Sequence, residues 1–217
     1  AEYGTLLHGE AISLGVRAAL YLSEKKADLS QEAEVAGLIP RAVEGLGGPL
    51  TCLVNNASVF ERDSFRDATR ESWDLHFDAN LRAPIALTQA FALALPGDQK
   101  GLVVNVIDQR VWKLNPQFFS YTLSKAALLT AMKTLAQSLA PNIRVNGIGP
   151  GPTLASVHQS EEEFEAERRA TLTQEGSRPE EIVRALRYLI EADSVTGQMI
   201  ATDGGQHLMW QTPDTQV

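Results

Sequence analysis

The chain is short of cysteine, of basic charge and of long apolar runs, and each shortage excludes something. Cys52 is the only cysteine among 217 residues, so no intrachain disulfide can form and a reducing, cytoplasmic setting is expected. No apolar run approaches the ~20 residues that a membrane helix needs, and Ala1 opens no recognisable signal peptide. Lys+Arg number 19 against 27 Asp+Glu, a formal net charge of −8. A nucleic-acid partner calls for a basic patch, so this balance argues against one and indicates mainly solubility. Repeats and low-complexity tracts are also missing. What is left is one globular α/β domain over residues 1–217, 44% hydrophobic, large enough to bury a core without staples.

Four runs read as strands. Leu50–Phe60 begins apolar and continues into Asn55, Asn56, Ala57 and Ser58, where small side chains let a ligand approach the backbone. Gly101–Asp108 ends in a carboxylate, Ile143–Thr153 runs into a Gly/Pro turn, and Gln198–Thr202 is the last. Helices are predicted over Gln31–Glu44 and over Thr69–Leu95, where Trp73, Phe77, Leu81, Ile85 and Phe91 recur at helical intervals. Two more run through Tyr121 to about Ser138, before Pro141, and from Arg178 to near Glu191. This alternation predicts a single Rossmann-like, doubly wound parallel sheet. In such sheets ligands bind outside the carboxyl ends of the strands, and the polar strand ends fall at that edge.

Tyr121 and Lys125 are spaced to share one helix face. An ammonium beside a phenol favours the ionised phenol and lowers a pKa that starts near ~10. The pair is then a ready proton donor and acceptor at a carbon–oxygen or carbon–nitrogen bond. Alone, the spacing is more often that of a solvated helix face. The strand ends around it reverse that weighting.

Taken together, Asn55-Asn-Ala-Ser58, Asn80 within Asp-Ala-Asn-Leu-Arg-Ala-Pro, Tyr121-x-x-x-Lys125, Arg144-Val-Asn-Gly-Ile-Gly-Pro-Gly151 and Asp203-Gly-Gly205 resemble the short-chain dehydrogenases/reductases, in that family's order. Asp108 stands where most members carry a catalytic Ser, and Ser58 followed by Val59-Phe60 replaces their Gly after Asn-Asn-Ala. Both departures look like the pteridine reductase and dihydromonapterin reductase branch. The resemblance implies an NADPH-dependent reductase of a pterin-like C=N bond. In it Tyr121 or Asp108 supplies the proton, Lys125 holds the nicotinamide ribose and tunes Tyr121, and Asn80 holds a water of the relay. An Asp starts near ~3.9, so acting as an acid at neutral pH requires desolvation to raise it. The resemblance further implies that Asp28, Asn55, Ala57, Ser58, Tyr121, Lys125, Pro150, Gly151 and Thr153 border the cofactor. Ser58, Phe60, Asp108 and Tyr121 would border the substrate, with Phe60 stacked on its ring, and four copies would assemble. No metal, nucleic acid or membrane enters this reading.

The front of the chain departs from the family. Asp28-Leu-Ser resembles the segment after the third strand, whose carboxylate meets the adenine, and two strand–helix–strand units of roughly 30 residues should precede it. Residues 1–27 are too few, and read as a remnant of the dinucleotide-binding front with an incomplete N-terminal βαβ portion. His8–Gly15 keeps the outer glycines of the phosphate loop, with Ser13 in place of its basic residue, and a helix over Val16–Glu24 could follow. Either part of the protein lies outside this sequence, which Ala1 in place of Met suits, or the cofactor site is degenerate. The 2′-phosphate reader falls in the absent strand, so NADH stays open beside NADPH. Residues 154–176 are expected to form the family's substrate lid, with a solvated helix around His158–Arg169 and with Leu154 and Phe164 towards the ligand. Two rival functions stay open on the residues. One is a short-chain carbonyl or alcohol reductase with Asp108 merely polar, the other a non-catalytic scaffold or binding protein that lost its cofactor.

Overall fold

In the computed structural model, which describes residues 28–212, four parallel strands lie side by side in chain order: β1 (Cys52–Asn55), β2 (Gly101–Val106), β3 (Ile143–Pro150) and β4 (Met199–Thr202). Asn55 pairs with Asn105, Val106 with Ile148 and Pro150 with Thr202, so the carboxyl ends arrive at one edge. The helices are α1 (Glu32–Ala36), α2 (Leu38–Leu46), α3 (Arg70–Phe77), α4 (Ala83–Ala94), α5 (Phe119–Leu139), α6 (Glu161–Arg169) and α7 (Pro179–Glu191). The phosphate-loop remnant at His8–Gly15 and the helix expected over Val16–Glu24 lie outside the described residues.

Strand periodicity sorts the core into two layers. Leu53, Val103 and Val145 point to one face, where α1, α2, α4 and α5 contribute Val35, Ile39, Leu87, Phe91, Leu128 and Met132. Their sequence neighbours Cys52, Leu102 and Val104 point to the other, against Ala185 and Leu189 of α7. Strands buried on both faces are continuous apolar runs, as a parallel sheet requires. Each such Val, Leu or Ile contributes about 1.5–3 kcal/mol by leaving water. Cys52 is enclosed by this second layer, and burial pushes its thiol up to about 12, which makes it inert.

Two predicted helices differ in detail. The Gln31–Glu44 stretch is divided at Gly37 into α1 and α2, because Pro40 has no N–H for the Ala36 carbonyl and is tolerated only in the first turn of a new helix. The Thr69–Leu95 stretch is α3 and α4 joined by a π-helical turn at Asp78–Arg82. Such turns concentrate at functional sites, and Asn80 lies within this one.

Candidate active site

One stripe of α5 both packs the core and supplies the site. Tyr121, Lys125, Leu128, Met132 and Ala136 are all buried and recur at three- and four-residue steps. Its apolar end meets β3 while its first turn reaches the strand ends. That first turn is held from outside. Asp63, in the loop after β1, accepts the backbone N–H of Ser120 at 3.1 Å and also the Ser120 hydroxyl. His76 of α3 completes the network, with Nδ1 2.7 Å from Ser120 Oγ and Nε2 accepting the Glu61 N–H at 3.0 Å. With Nε2 an acceptor, Nδ1 carries the proton and donates to Ser120. The serine hydrogen is committed to Asp63, so this Ser, His and Asp form a brace and not a nucleophile.

Tyr121 Oη donates to Asp108 Oδ2 at 2.7 Å. Asp108 lies just beyond β2, its other oxygen accepting the Arg110 N–H at 2.7 Å. Burial pushes the Asp108 carboxyl above its ordinary range, against the opposing pull of the Arg110 and Tyr121 hydrogen bonds and of the Arg110 and Lys125 charges. Burial also pushes the Tyr121 phenol well up, with the Asp108 charge and hydrogen bond adding to it. This reverses the direction expected from the Tyr/Lys spacing. Lys125 is 2% exposed and donates from Nζ to the Val106 carbonyl at 2.8 Å, with Nζ 5.8 Å from the Tyr121 ring centre. Burial lowers that ammonium to about 8, Asp108 opposing the fall. Desolvation and the carboxylate at Tyr121 therefore outweigh the ammonium at ring distance.

Asn80 is fully buried and saturated. Its Oδ1 accepts from Val59 N at 2.8 Å and Ser58 Oγ at 3.1 Å, and Nδ2 donates to Val59 O at 2.9 Å and Ser124 Oγ at 3.3 Å. Its side chain ties the loop after β1 to α5. Phe60, on that loop, stacks on Phe118 with ring centres 4.1 Å apart and meets Tyr121 edge-on at 4.7 Å. One face of the Phe60 ring is thus covered by a phenyl group, while Phe60 still lines the cavity. Phe118 holds a left-handed backbone, φ 53 and ψ 54, a conformation bulky residues rarely adopt.

Phe60, Asp108, Phe118 and Tyr121 border a cavity of about 590 Å³. Of the expected site residues, Phe60, Asp108, Tyr121, Pro150, Gly151 and Thr153 line it, as do Leu154 and Phe164 of the segment expected to cover the substrate. Lys125, Asn80, Asn55, Ala57 and Ser58 do not line it but cluster around the ends of β1 and β2. Asp28 is exposed, holds Ser30 through its carboxylate, and is no part of the wall. Gly151 sits where a Cβ would come within 2.6 Å of Asp203 Cα, so the backbone itself forms the wall there. At the end of β1, Asn55 donates to Asn105 while its Oδ1 is buried without a protein partner, an acceptor suited to a ligand N–H or hydroxyl. Both features fit the nicotinamide half of a dinucleotide.

Sequence reasoning missed Arg62, Arg110, Phe118 and His158. Arg62 and Arg110 both stand at the Phe118 ring, and His158 Nε2 lies 3.1 Å from the Phe60 carbonyl. Only the position of Arg110, two residues after Asp108, offered a signal. The others reach the cavity on loops with no periodicity to read.

The sequence matches the family described as Enoyl-(Acyl carrier protein) reductase over residues 11–207. The structure is similar to that of FolM Alternative dihydrofolate reductase 1 from Brucella suis in complex with NADP, with 54% identity and a TM-score of 0.83, covering 87% of this chain and 75% of that one. Dehydrogenase/reductase SDR family member 4 of Homo sapiens is 34% identical over 77% of this chain, which spans 63% of that relative's length. A short-chain dehydrogenase/reductase of Armillaria gallica is 30% identical over 82% of this chain and 73% of its own. The parallel sheet, the buried Tyr121 and Lys125 at its carboxyl edge and these likenesses together establish that the chain belongs to the short-chain dehydrogenase/reductase family.

Proposed function

We propose that the protein is an NADPH-dependent reductase of a pterin-like C=N bond. The observation that carries this reading is the 2.7 Å contact between Tyr121 Oη and Asp108 Oδ2 at the wall of a cavity that Phe60 also lines. A carboxyl raised by burial holds a proton at higher pH than an ordinary Asp, and can deliver it to a ring nitrogen. Tyr121 stands ready to pass a proton to Asp108 or to hold its charge once the proton has left. NADPH, when bound, supplies the hydride that forms the new C–H bond, and the proton forms the N–H bond, so the two additions balance the C=N reduction.

Asn55, Ala57, Ser58, Pro150, Gly151 and Thr153 would hold the nicotinamide half, and Lys125 its ribose once Nζ shares its donors with Val106 O. Asp28 would reach the adenine. Asn80 keeps Ser58 and Val59 in place through its four hydrogen bonds. Phe60 offers the flat apolar face that a heteroaromatic ring stacks on, and residues 154–176 would cover it. The similar Brucella suis protein, a dihydrofolate reductase solved with NADP, supports both the cofactor and the ring class. Assembly into a tetramer and a cytoplasmic setting belong to the same reading.

The test is NADPH oxidation by the full-length protein with a dihydropterin and, separately, with a simple ketone. Turnover confined to the dihydropterin is expected. Turnover of the ketone alone would make Asp108 merely polar in a carbonyl reductase.

A further inference from the structure

The protein carries a formal charge of −8, yet its cavity is lined by Arg62, Arg110 and Lys113 against two carboxylates, Asp108 and Glu167. The Arg110 charge acts on Asp108, but neither carboxylate forms an ion pair with a cation of the cavity wall. Asp108 is engaged by Tyr121 and the Arg110 backbone. Glu167 accepts the side-chain amides of Gln159 and Gln206, each at 2.7 Å. Arg62 and Arg110 form no ion pair with any described residue. Each guanidinium spends one hydrogen bond on a neutral acceptor: Arg62 on the His158 carbonyl at 3.0 Å, Arg110 Nη1 on Asn115 Oδ1 at 2.9 Å. Arg110 Nε is buried with no protein partner. A buried N–H without a partner is costly, and turning the Arg110 side chain into the cavity would let its Nε edge grip a carboxylate with two bonds. Both guanidinium carbons lie near the Phe118 ring, at 5.2 Å for Arg110 and 5.7 Å for Arg62. That ring stacks on Phe60, so the cations sit one aromatic ring beyond the surface assigned to the substrate's ring system.

We infer that Arg110 and Arg62 form an anion subsite, selecting substrates whose planar ring carries a carboxylate-bearing tail over those with a neutral, hydroxylated tail. The inference rests on the pterin reading for the position of the ring, while the cations and the unpartnered Nε stand without it.

Full-length parent protein, Arg110→Gln and Arg62→Gln are titrated with folate and with 6-hydroxymethylpterin, which share a ring and differ in the acidic tail. Tryptophan fluorescence gives the dissociation constants with and without NADP+, and circular dichroism melts establish that each variant is folded. A charged hydrogen bond lost to the tail should weaken folate binding by Arg110→Gln about tenfold or more. Hydroxymethylpterin should change by less than about twofold, and folate affinity in the parent should fall with added salt. Equal weakening of both ligands, no weakening of either, or parent protein that binds neither would overturn the subsite. Folate binding that depends on Arg110 in a protein unable to oxidise NADPH with any dihydropterin would sustain the subsite and overturn the reductase reading instead.

Discussion

Tyr121→Phe removes one oxygen and keeps the ring, whose edge-on contacts with Phe60 and His76 survive. The perturbation is therefore confined to a buried 2.7 Å hydrogen bond ending on the Asp108 carboxylate. Such a bond to a charged group contributes about 1.5–3 kcal/mol net. Its worth depends on pH. Burial raises Asp108 and the Tyr121 hydrogen bond opposes the rise, so the variant's folded-state pKa lies higher still. A carboxyl raised in the folded state contributes stability below its unfolded pKa and loses it as pH climbs through the folded value. The variant should thus match the parent most closely at acidic pH, where Asp108 is protonated. Above the raised pKa its deficit should reach about 1.5–3 kcal/mol. Urea unfolding at a series of pH values reads this directly, and a cycle with Asp108→Asn isolates the coupling of the two groups. Turnover of NADPH with a dihydropterin should fall by about 10²–10⁴. Parent-like turnover, or a stability deficit that is the same at acidic and neutral pH, would refute the pairing of phenol and carboxylate as the working element.

Asp108→Ser should abolish pterin reduction and remove one limb of the pH–rate profile while NADPH titration is unchanged; equal pterin rates in the two proteins would favour a general carbonyl reductase. Phe60→Ala should raise the substrate dissociation constant about tenfold, or ~1.4 kcal/mol, and lose about 0.5–1.5 kcal/mol of stability with the Phe118 stack. A loss of about 3–5 kcal/mol with unaltered substrate affinity would instead mark Phe60 as a core aromatic. His76, lowered chiefly by burial, stabilises the fold above its unfolded pKa and loses that contribution as pH falls through the lower folded value. His76→Leu should therefore cost about 1–3 kcal/mol at neutral pH, by stranding Glu61 N and Ser120, and should flatten the acid limb of a melting-temperature profile; an unchanged acid limb would place the sensitivity elsewhere.

The sequence by itself determined the sheet and the helix that carries the pair at its edge. The continuous apolar runs Cys52–Val54 and Leu102–Val104 mark strands buried on both faces, and the steps of three and four from Tyr121 to Ala136 mark a helix buried on one face; both are local patterns. The ends of the strands were legible for the same reason, because apolar runs stop where Asn55 and Asp108 begin. Tertiary structure decided what those residues do to one another. Spacing places Lys125 near Tyr121, but only the fold shows that Nζ turns to the Val106 carbonyl while the phenol turns to Asp108. The direction of the phenol's pKa follows from that choice. Loops decided the rest: Phe118 on the face of Phe60, Asn80 locked to Val59, and Arg62 and Arg110 gathered at one ring from positions 48 residues apart. A loop has no period, so its side chains find their partners only through the packing of the elements it joins.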